Sequence, residues 1–354
     1  MKECFVIGLM SGTSLDGLDL AYCSFSFKKS WSYKILTFKT INYTPSFKDR
    51  LRNAPHLKAT LLSDLSIEFG SFMAECIAKF IHENSISQID LIASHGHTVF
   101  HEPENGITLQ IGNPKPIYDL LNIPVAYDFR IQDVSLGGQG APLVPFVDQL
   151  LFSEYDACLN LGGFSNISFD DRGVRVAFDI CPVNIVLNLW ANKLGFNFDD
   201  KGMLASSGEI HLPLLEQLNN LDFYSKTLPK SLGWEWVLAH VLPILELDKL
   251  SEVDVLRTFT EHIAVQIAEV LNSNKLKTVL ITGGGSYNTF LCSRLASLSP
   301  NTELKMDQSL IESKEAMAFA FLGLMKLKNT VNVWSSVTGS VKDHSSGKIY
   351  PEEL

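Results

Sequence analysis

Cysteine is scarce in this sequence, and nowhere is it paired. Its 354 residues include six cysteines, at positions 4, 23, 76, 158, 181 and 292, with no CxxC spacing among them. Most sit in apolar runs such as Ala74-Glu75-Cys76-Ile77, which excludes a disulfide framework and suits reduced core thiols in a cytosolic protein. Positive charge is also in deficit: 29 Lys+Arg against 39 Asp+Glu leave a net charge of -10, which argues against a general nucleic-acid binder. A local basic pocket for a phosphate stays open. Long apolar runs are missing too, since Ala316 to Met325 is only about half a membrane span. The segment Cys4 to Met10 faintly imitates a signal peptide, but Glu3 interrupts it and no small-x-small site follows. The expectation is a cytoplasmic protein without membrane partners. With 46% hydrophobic and 19% charged residues it is neither disordered nor a coiled coil, and its length suits two domains.

Strand-like and helix-like segments alternate along the chain. Phe5-Val6-Ile7-Gly8-Leu9 reads as a buried strand, and Leu18 to Phe27 as its hairpin partner after the turn at Ser11-Gly12-Thr13. Leu65, Phe69, Phe72, Met73, Cys76, Ile77 and Phe80 recur at spacings of three and four, which predicts an amphipathic helix between Leu62 and Ile81. Leu91-Ile92-Ala93 and Val125-Ala126 are short strand candidates, and Gly137 to Pro142 reads as a loop. A second set begins with Cys158 to Leu161, a Gly162-Gly163 turn and Ile167 to Phe169. It continues with a helix over Leu256 to Leu271, a strand over Thr278 to Thr282 and a helix over Lys314 to Leu327. No Ser-rich linker appears, so two closely packed lobes are expected. A strand–glycine turn–strand unit thus occurs twice. Two such turns could clamp a phosphate through backbone N–H groups, or be two ordinary hairpins.

Several stretches carry candidate chemistry. Gly8 to Gly17 lacks the lysine of a Walker A loop, yet Gly12, Thr13 and Ser14 could donate to a phosphate and Asp16 could hold Mg²⁺, directly or through water. A tight turn would use the same residue types. Thr282-Gly283-Gly284-Gly285 followed by Asn288 fits a nucleotide approached at a helix start. His95, His97 and His101 suggest zinc if they share one strand face, but no carboxylate or cysteine completes the set and Gly96 suggests a turn. Asp179, closing the run Val176-Ala177-Phe178, is placed either as a general base at a strand end or as the N-cap of a helix over Asn184 to Trp190. Arg130 either pairs with Asp133 or holds an anion bidentately. Glu315 near a helix start is favoured by the dipole in any case.

Taken together, Gly8 to Gly17, Ser94-His95-Gly96, Leu109 to Gly112, Asp128-Phe129-Arg130 and Gly137 to Pro145 make the chain resemble the anhydro-N-acetylmuramic acid kinase family. Asn160 to Gly163, Pro229-Lys230-Ser231, Gly283 to Gly285 and Lys314-Glu315-Ala316 continue the match in one order over nearly the whole chain. The resemblance implies an α/β, duplicated actin-like (ribonuclease H-like) two-domain fold with an interdomain ATP/sugar cleft. Its lobes are expected at 1–131, joined by the tail from about 330 to 354, and at 132–329. It implies that water and ATP together open 1,6-anhydro-N-acetylmuramic acid and phosphorylate O6, giving N-acetylmuramate 6-phosphate and ADP in murein recycling. The base falls on Asp179. The ATP loop falls on Gly12, Thr13, Ser14, Leu15, Asp16, Gly17, Leu18 and Asp19, and the nucleotide side adds Gly162, Gly163, Gly283, Gly284, Gly285 and Asn288. Arg130, Glu315 and His95 fall on the sugar side, Asp16 serves Mg²⁺, and a homodimer is implied.

Where the family reads Phe-Asp-Thr-Gly-Pro-Gly-Asn, this chain has Phe178-Asp179-Ile180-Cys181-Pro182-Val183-Asn184. Family members often carry Gln at the place of His97 and Arg at that of Trp234. The lost glycines deny the backbone easy access to φ > 0 and could narrow the sugar pocket. Two alternatives therefore stand beside the leading one: a kinase of a different sugar, or an ATP-binding regulatory protein without turnover.

Overall fold

Small residues at Gly8, Ala93 and Ala126 leave room for a helix to cross the sheet they belong to, and that crossing organises the first of two units. In this computed structural model, which describes residues 2–13, 15–228, 230–247 and 249–352, the chain divides into 1–152 with 313–354, and 153–312. Unit 1 contains β1 (Cys4–Ser11), β2 (Gly17–Phe27), β3 (Trp31–Asn42), β4 (Leu91–Glu102), β5 (Ile107–Ile111) and β6 (Val125–Tyr127). The sheet order is β3-β2-β1-β4-β6 followed by the C-terminal strand Lys348–Tyr350, with β5 paired to β4. β1 is antiparallel to β2, β2 to β3, and β1 runs parallel to β4, as β4 does to β6. One face is covered by the helix Ala59–Glu83, whose buried stripe Leu65, Phe69, Met73, Ile77 and Phe80 follows the predicted spacing.

Unit 2 repeats the scheme. β7 (Ala157–Leu161), β8 (Phe164–Asp171), β9 (Val174–Pro182), β10 (Thr278–Thr282) and β11 (Glu303–Met306) lie in the order β11-β10-β7-β8-β9. The first three are successively antiparallel, and β10 is parallel to both β7 and β11. Its core packs the helix Glu252–Ser273, through Leu256, Phe259, Ile263 and Ile267, against the sheet and the helix Asn184–Lys193. Ser251 caps the former, its hydroxyl accepting from Asp254 N–H at 3.2 Å. One strand order used twice is the duplicated actin-like, ribonuclease H-like α/β fold.

The unit boundaries fall later and earlier than expected, at 152/153 and 312/313 instead of 131/132 and near 330. The helix Val144–Leu151 belongs to unit 1 because Phe146 packs on Phe321 and Trp334, and Phe152 just beyond it meets Tyr33 edge-on. The helix Gln308–Leu327 likewise seats Phe321 on Phe25 and Phe319 on Phe129. β4 also runs nine residues beyond the predicted Ala93, because Gly96 (φ 74°) makes a bulge within the strand instead of ending it.

Candidate active site

In unit 1 the turn joining β1 to β2 closes with Leu15 N–H on Gly12 C=O at 3.2 Å, and Asp16 is exposed on it. Ser14 lies outside the described residues. Gly17 and Leu18 already belong to β2 and are buried; a side chain at Gly17 would meet Ile41 C=O at 2.6 Å, so that glycine serves strand packing. Asp19 accepts from Thr40 Oγ1 at 2.6 Å. Beneath the turn, Tyr43 donates to Ser11 Oγ at 2.7 Å, and Ser11 Oγ meets His97 Nδ1 at 3.0 Å. This buried chain anchors the end of β1. Desolvation pushes His97 down to about 4, so its ring is neutral and Ser11 is the donor.

Arg130 is held by two bonds: Nε donates to His95 Nε2 at 2.9 Å and Nη1 to Gly140 C=O at 2.7 Å. Its Nη2 has no hydrogen-bond partner among the described residues, leaving one edge of a pre-oriented guanidinium for an anion. Burial lowers it to about 10, against the opposing charges of Glu315 and Asp133, and it stays cationic at neutral pH. His95 is buried, and its Nδ1–H goes to Gly96 C=O at 3.0 Å. With both nitrogens occupied, and desolvation and Arg130 holding its pKa well below the ordinary value, His95 supports Arg130 from behind. The three histidines thus part company, because His101 turns to Thr108 Oγ1 at 3.1 Å. Among the described residues no group of three or more His, Cys, Asp or Glu could hold a metal ion.

Asp133 forms no ion pair with Arg130. Fully buried, it accepts from Gly140 N–H at 2.6 Å and Thr338 Oγ1 at 2.7 Å, and so holds the residue whose carbonyl receives Arg130. Asp133→Ala strands both donors, and we expect a stability loss of about 2–4 kcal/mol together with a raised KM for a substrate whose anionic group meets Arg130; denaturant melts and initial rates check both. An unchanged KM would separate Gly140 from substrate binding.

Glu315 lies in the second turn of its helix, away from the start where the dipole would act. Its carboxylate is open to solvent yet surrounded by protein, which raises its pKa; Asp19 adds to that rise, and Arg130 and Lys314 oppose it. Lys314 itself is buried and pairs with Asp148 at 2.8 Å, fixing the turn that presents Glu315.

In unit 2 the turn between β7 and β8 is tied to the helix Asn184–Lys193: Gly163 C=O accepts from Val183 and Ile185 N–H, and Gly162 C=O from Asn184 N–H. Gly162 donates its own N–H within the turn, to Phe164 C=O at 3.2 Å, so it is not a free phosphate donor. After β10, Gly283 (φ 84°) and Gly285 are required by packing, since a Cβ on either would lie under 3 Å from Asn160 or Leu161. Gly284 alone faces open space, so ligand approach explains one of the three glycines. Asn288 caps the helix Thr289–Leu298, its Oδ1 accepting from Leu291 N–H at 3.0 Å.

Asp179 lies three residues before the end of the edge strand β9, opposite Asn166. It caps no helix, since Val183 occupies the N-cap of Asn184–Lys193. Its Oδ2 accepts from Leu232 N–H at 2.8 Å, and its own N–H donates to Lys230 C=O at 3.2 Å. Oδ1 has no hydrogen-bond partner among the described residues. Desolvation raises its pKa against the lowering effect of the Leu232 bond, the tuning a carboxylate base needs. The residues that differ beside it belong to the unit 2 core: Ile180, Cys181 and Val183 are all buried there. Val183 has φ −127°, outside the positive-φ region, and Cys181 follows a bulge at Ile180 in β9, where it pairs with Ser165. The lost glycines are accommodated without strain at φ > 0.

A duplicated actin-like fold with a glycine turn after the first strand of each half is the framework of a phosphotransferase. The anhydro-N-acetylmuramic acid kinase family model matches residues 4–352. Proteins named anhydro-N-acetylmuramic acid kinase are similar along their whole length. That of Pseudomonas savastanoi pv. phaseolicola is 35% identical over 373 residues, covering 99% of this chain and 100% of the relative. That of Hydrogenovibrio crunogenus is 34% identical and covers 97% of each, and that of Sulfurimonas denitrificans is 32% identical, covering 98% and 99%. The chain belongs to the anhydro-N-acetylmuramic acid kinase family and is a kinase of that amino sugar in murein recycling. No helix among the described residues is long and apolar enough to cross a membrane.

Proposed function

We propose that Asp179 is the general base of a coupled ring opening and phosphoryl transfer with ATP as donor. Asp179 takes a proton from water as the water oxygen bonds to the anomeric carbon of 1,6-anhydro-N-acetylmuramic acid. The bond from that carbon to O6 breaks, and O6 takes the γ-phosphoryl group, leaving N-acetylmuramate 6-phosphate and ADP. The observation that carries this reading is the half-buried Asp179 carboxylate, with Oδ2 fixed by Leu232, Oδ1 unpartnered and a raised pKa. Arg130 binds the sugar's carboxylate through its unpartnered edge, Glu315 serves the sugar side, and His95 acts behind Arg130. In unit 1 we assign the turn at Gly12, Thr13 and Asp16 to the nucleotide, and in unit 2 the open face of Gly284.

The residues present fit Mg²⁺. Asp16 is exposed on the turn after β1 and offers one carboxylate, which suits a Mg²⁺ that would take its other oxygen ligands from phosphate and water. When bound, the ion offsets phosphate charge, and Asp16 is the residue we assign to hold it. A cytoplasmic homodimer fits the family resemblance. The buried Ile180, Cys181 and Val183 favour the family substrate over another sugar. The test is ADP release with Mg-ATP, with and without the anhydro sugar, and mass analysis of the product. We expect sugar-dependent release and one added phosphate plus one added water; release independent of sugar would overturn the reading.

A further inference from the structure

Residues 230–233 have no regular secondary structure, yet they hold both the backbone and the carboxylate of Asp179. Something must fix this segment for Oδ1 to keep one direction. Lys230 does so from within it. Its Nζ donates to Phe223 C=O at 3.3 Å and Tyr224 C=O at 3.2 Å, and lies 4.7 Å from the centre of the Phe223 ring. Tyr224 is anchored in turn: its hydroxyl meets His262 Nε2 at 2.8 Å, and His262 Nδ1 meets Asn219 Oδ1 at 2.6 Å. Asn219 Oδ1 can only accept, and also receives Gln266 Nε2 at 3.1 Å. His262 Nδ1 therefore carries the proton and Tyr224 donates to Nε2. Full burial, which pushes His262 down to about 3, keeps this arrangement neutral. A continuous set of bonds thus runs from the helix Glu252–Ser273 through Tyr224 and Lys230 to Asp179.

We propose that Lys230 is a positioning residue for the base, its ammonium fastening the 230–232 segment to the Phe223 and Tyr224 carbonyls so that Leu232 N–H stays on Asp179 Oδ2. The inference rests on Asp179 being the base. The titratable groups around the assembly are few. Cys181, two residues along β9, has its thiol pushed up to about 12 by burial and is neutral. Glu269, on the helix Glu252–Ser273, acts on Lys230 and favours its charged form against desolvation. Freeing Leu232 N–H removes the one contact that lowers the Asp179 pKa, so a loosened segment moves that carboxyl to higher pKa.

The test compares Lys230→Met and Lys230→Arg with wild type, following kcat and KM across pH, and titrates the Asp179 side chain by carbon-13 NMR with Asp179→Asn as the assignment control. Lys230→Met is expected to lower kcat about tenfold or more, leave KM for ATP within about twofold and move the acid limb of kcat to higher pH. Lys230→Arg, which keeps donors for both carbonyls, recovers most of the rate. In an Asp179→Asn background, Lys230→Met adds less than about a twofold loss. Unchanged kcat and carboxyl titration in a folded Lys230→Met, or losses that multiply with Asp179→Asn, overturn the proposal. Should Asp179→Asn keep the wild-type rate, the base assignment fails, while the carboxyl titration still decides the role of Lys230.

Discussion

Asp179→Asn is expected to lower sugar-dependent ADP release by about 10²–10⁴-fold, the range a positioned general base supplies. The amide keeps the shape of the carboxylate and can still accept Leu232 N–H, so what it loses is the capacity to take a proton. Two further results make the prediction specific. In the wild-type enzyme, the rate falls as pH drops through a value above the ordinary carboxylate range, because desolvation raises the Asp179 pKa and protonation silences the base. The variant's residual rate lacks that limb. Stability moves in the other direction. A carboxylate whose pKa is raised by folding makes the folded state less stable as pH rises through that value, since the ionised form is the one burial penalises. An uncharged amide escapes that penalty, so Asp179→Asn should melt no lower than wild type at pH 7. Loss of activity with loss of stability would instead mark Asp179 as structural.

Much of the fold was legible because its helices bury one face. The 3–4 spacing of Leu65, Phe69, Met73, Ile77 and Phe80 locates the helix Ala59–Glu83 to within a few residues, and the repeated glycine turns disclose the duplication. The unit boundaries were not legible. The helices Val144–Leu151 and Gln308–Leu327 are apolar whichever sheet they cover, and only tertiary pairs such as Phe146 with Trp334 decide. The site was half legible. Asp179 and Arg130 could be singled out by type and place, but their supports could not. From sequence, Asp133 is one candidate partner of Arg130 and the resemblance puts His95 on the sugar side; in the fold one holds Gly140 and the other holds Arg130. Lys230 has no local pattern pointing to it, because its partners are main-chain carbonyls, which every residue carries. Its sequence signal was membership of the Pro229-Lys230-Ser231 motif, without a mechanism.

Gly8→Ala is expected to destabilise the protein by about 3 kcal/mol or more, with a correspondingly lowered Tm and denaturant midpoint. Gly8 opens the Gly8 to Gly17 stretch that carries the family resemblance, where a functional reading is tempting, yet its reason is packing. It lies in β1 between Ala21 on β2 and Ala93 on β4. A Cβ there would fall 1.9 Å from Ala316 C=O and 2.9 Å from Ala320 Cβ. The first clash is with helix backbone, which no rotamer change relieves, so the helix Gln308–Leu327 must move off the sheet. Farther along, Gly323 faces Ala93 and Ala126, and a Cβ there would fall 2.5 Å from Ala93 Cβ and 3.1 Å from Ala126 Cβ. Residues 316, 320 and 323 thus form one stripe of small side chains at helical spacing, laid on a matching stripe of the sheet. Glu315 precedes that stripe by one residue, so displacement of the helix carries with it the carboxylate we propose for the sugar side. Below its melting temperature the variant should therefore show a raised KM for sugar as well as lowered stability. Asp179→Asn reverses that pairing, losing turnover while keeping its fold. A Gly8→Ala protein with wild-type Tm and KM would mean that the crossing is looser than its close approach requires.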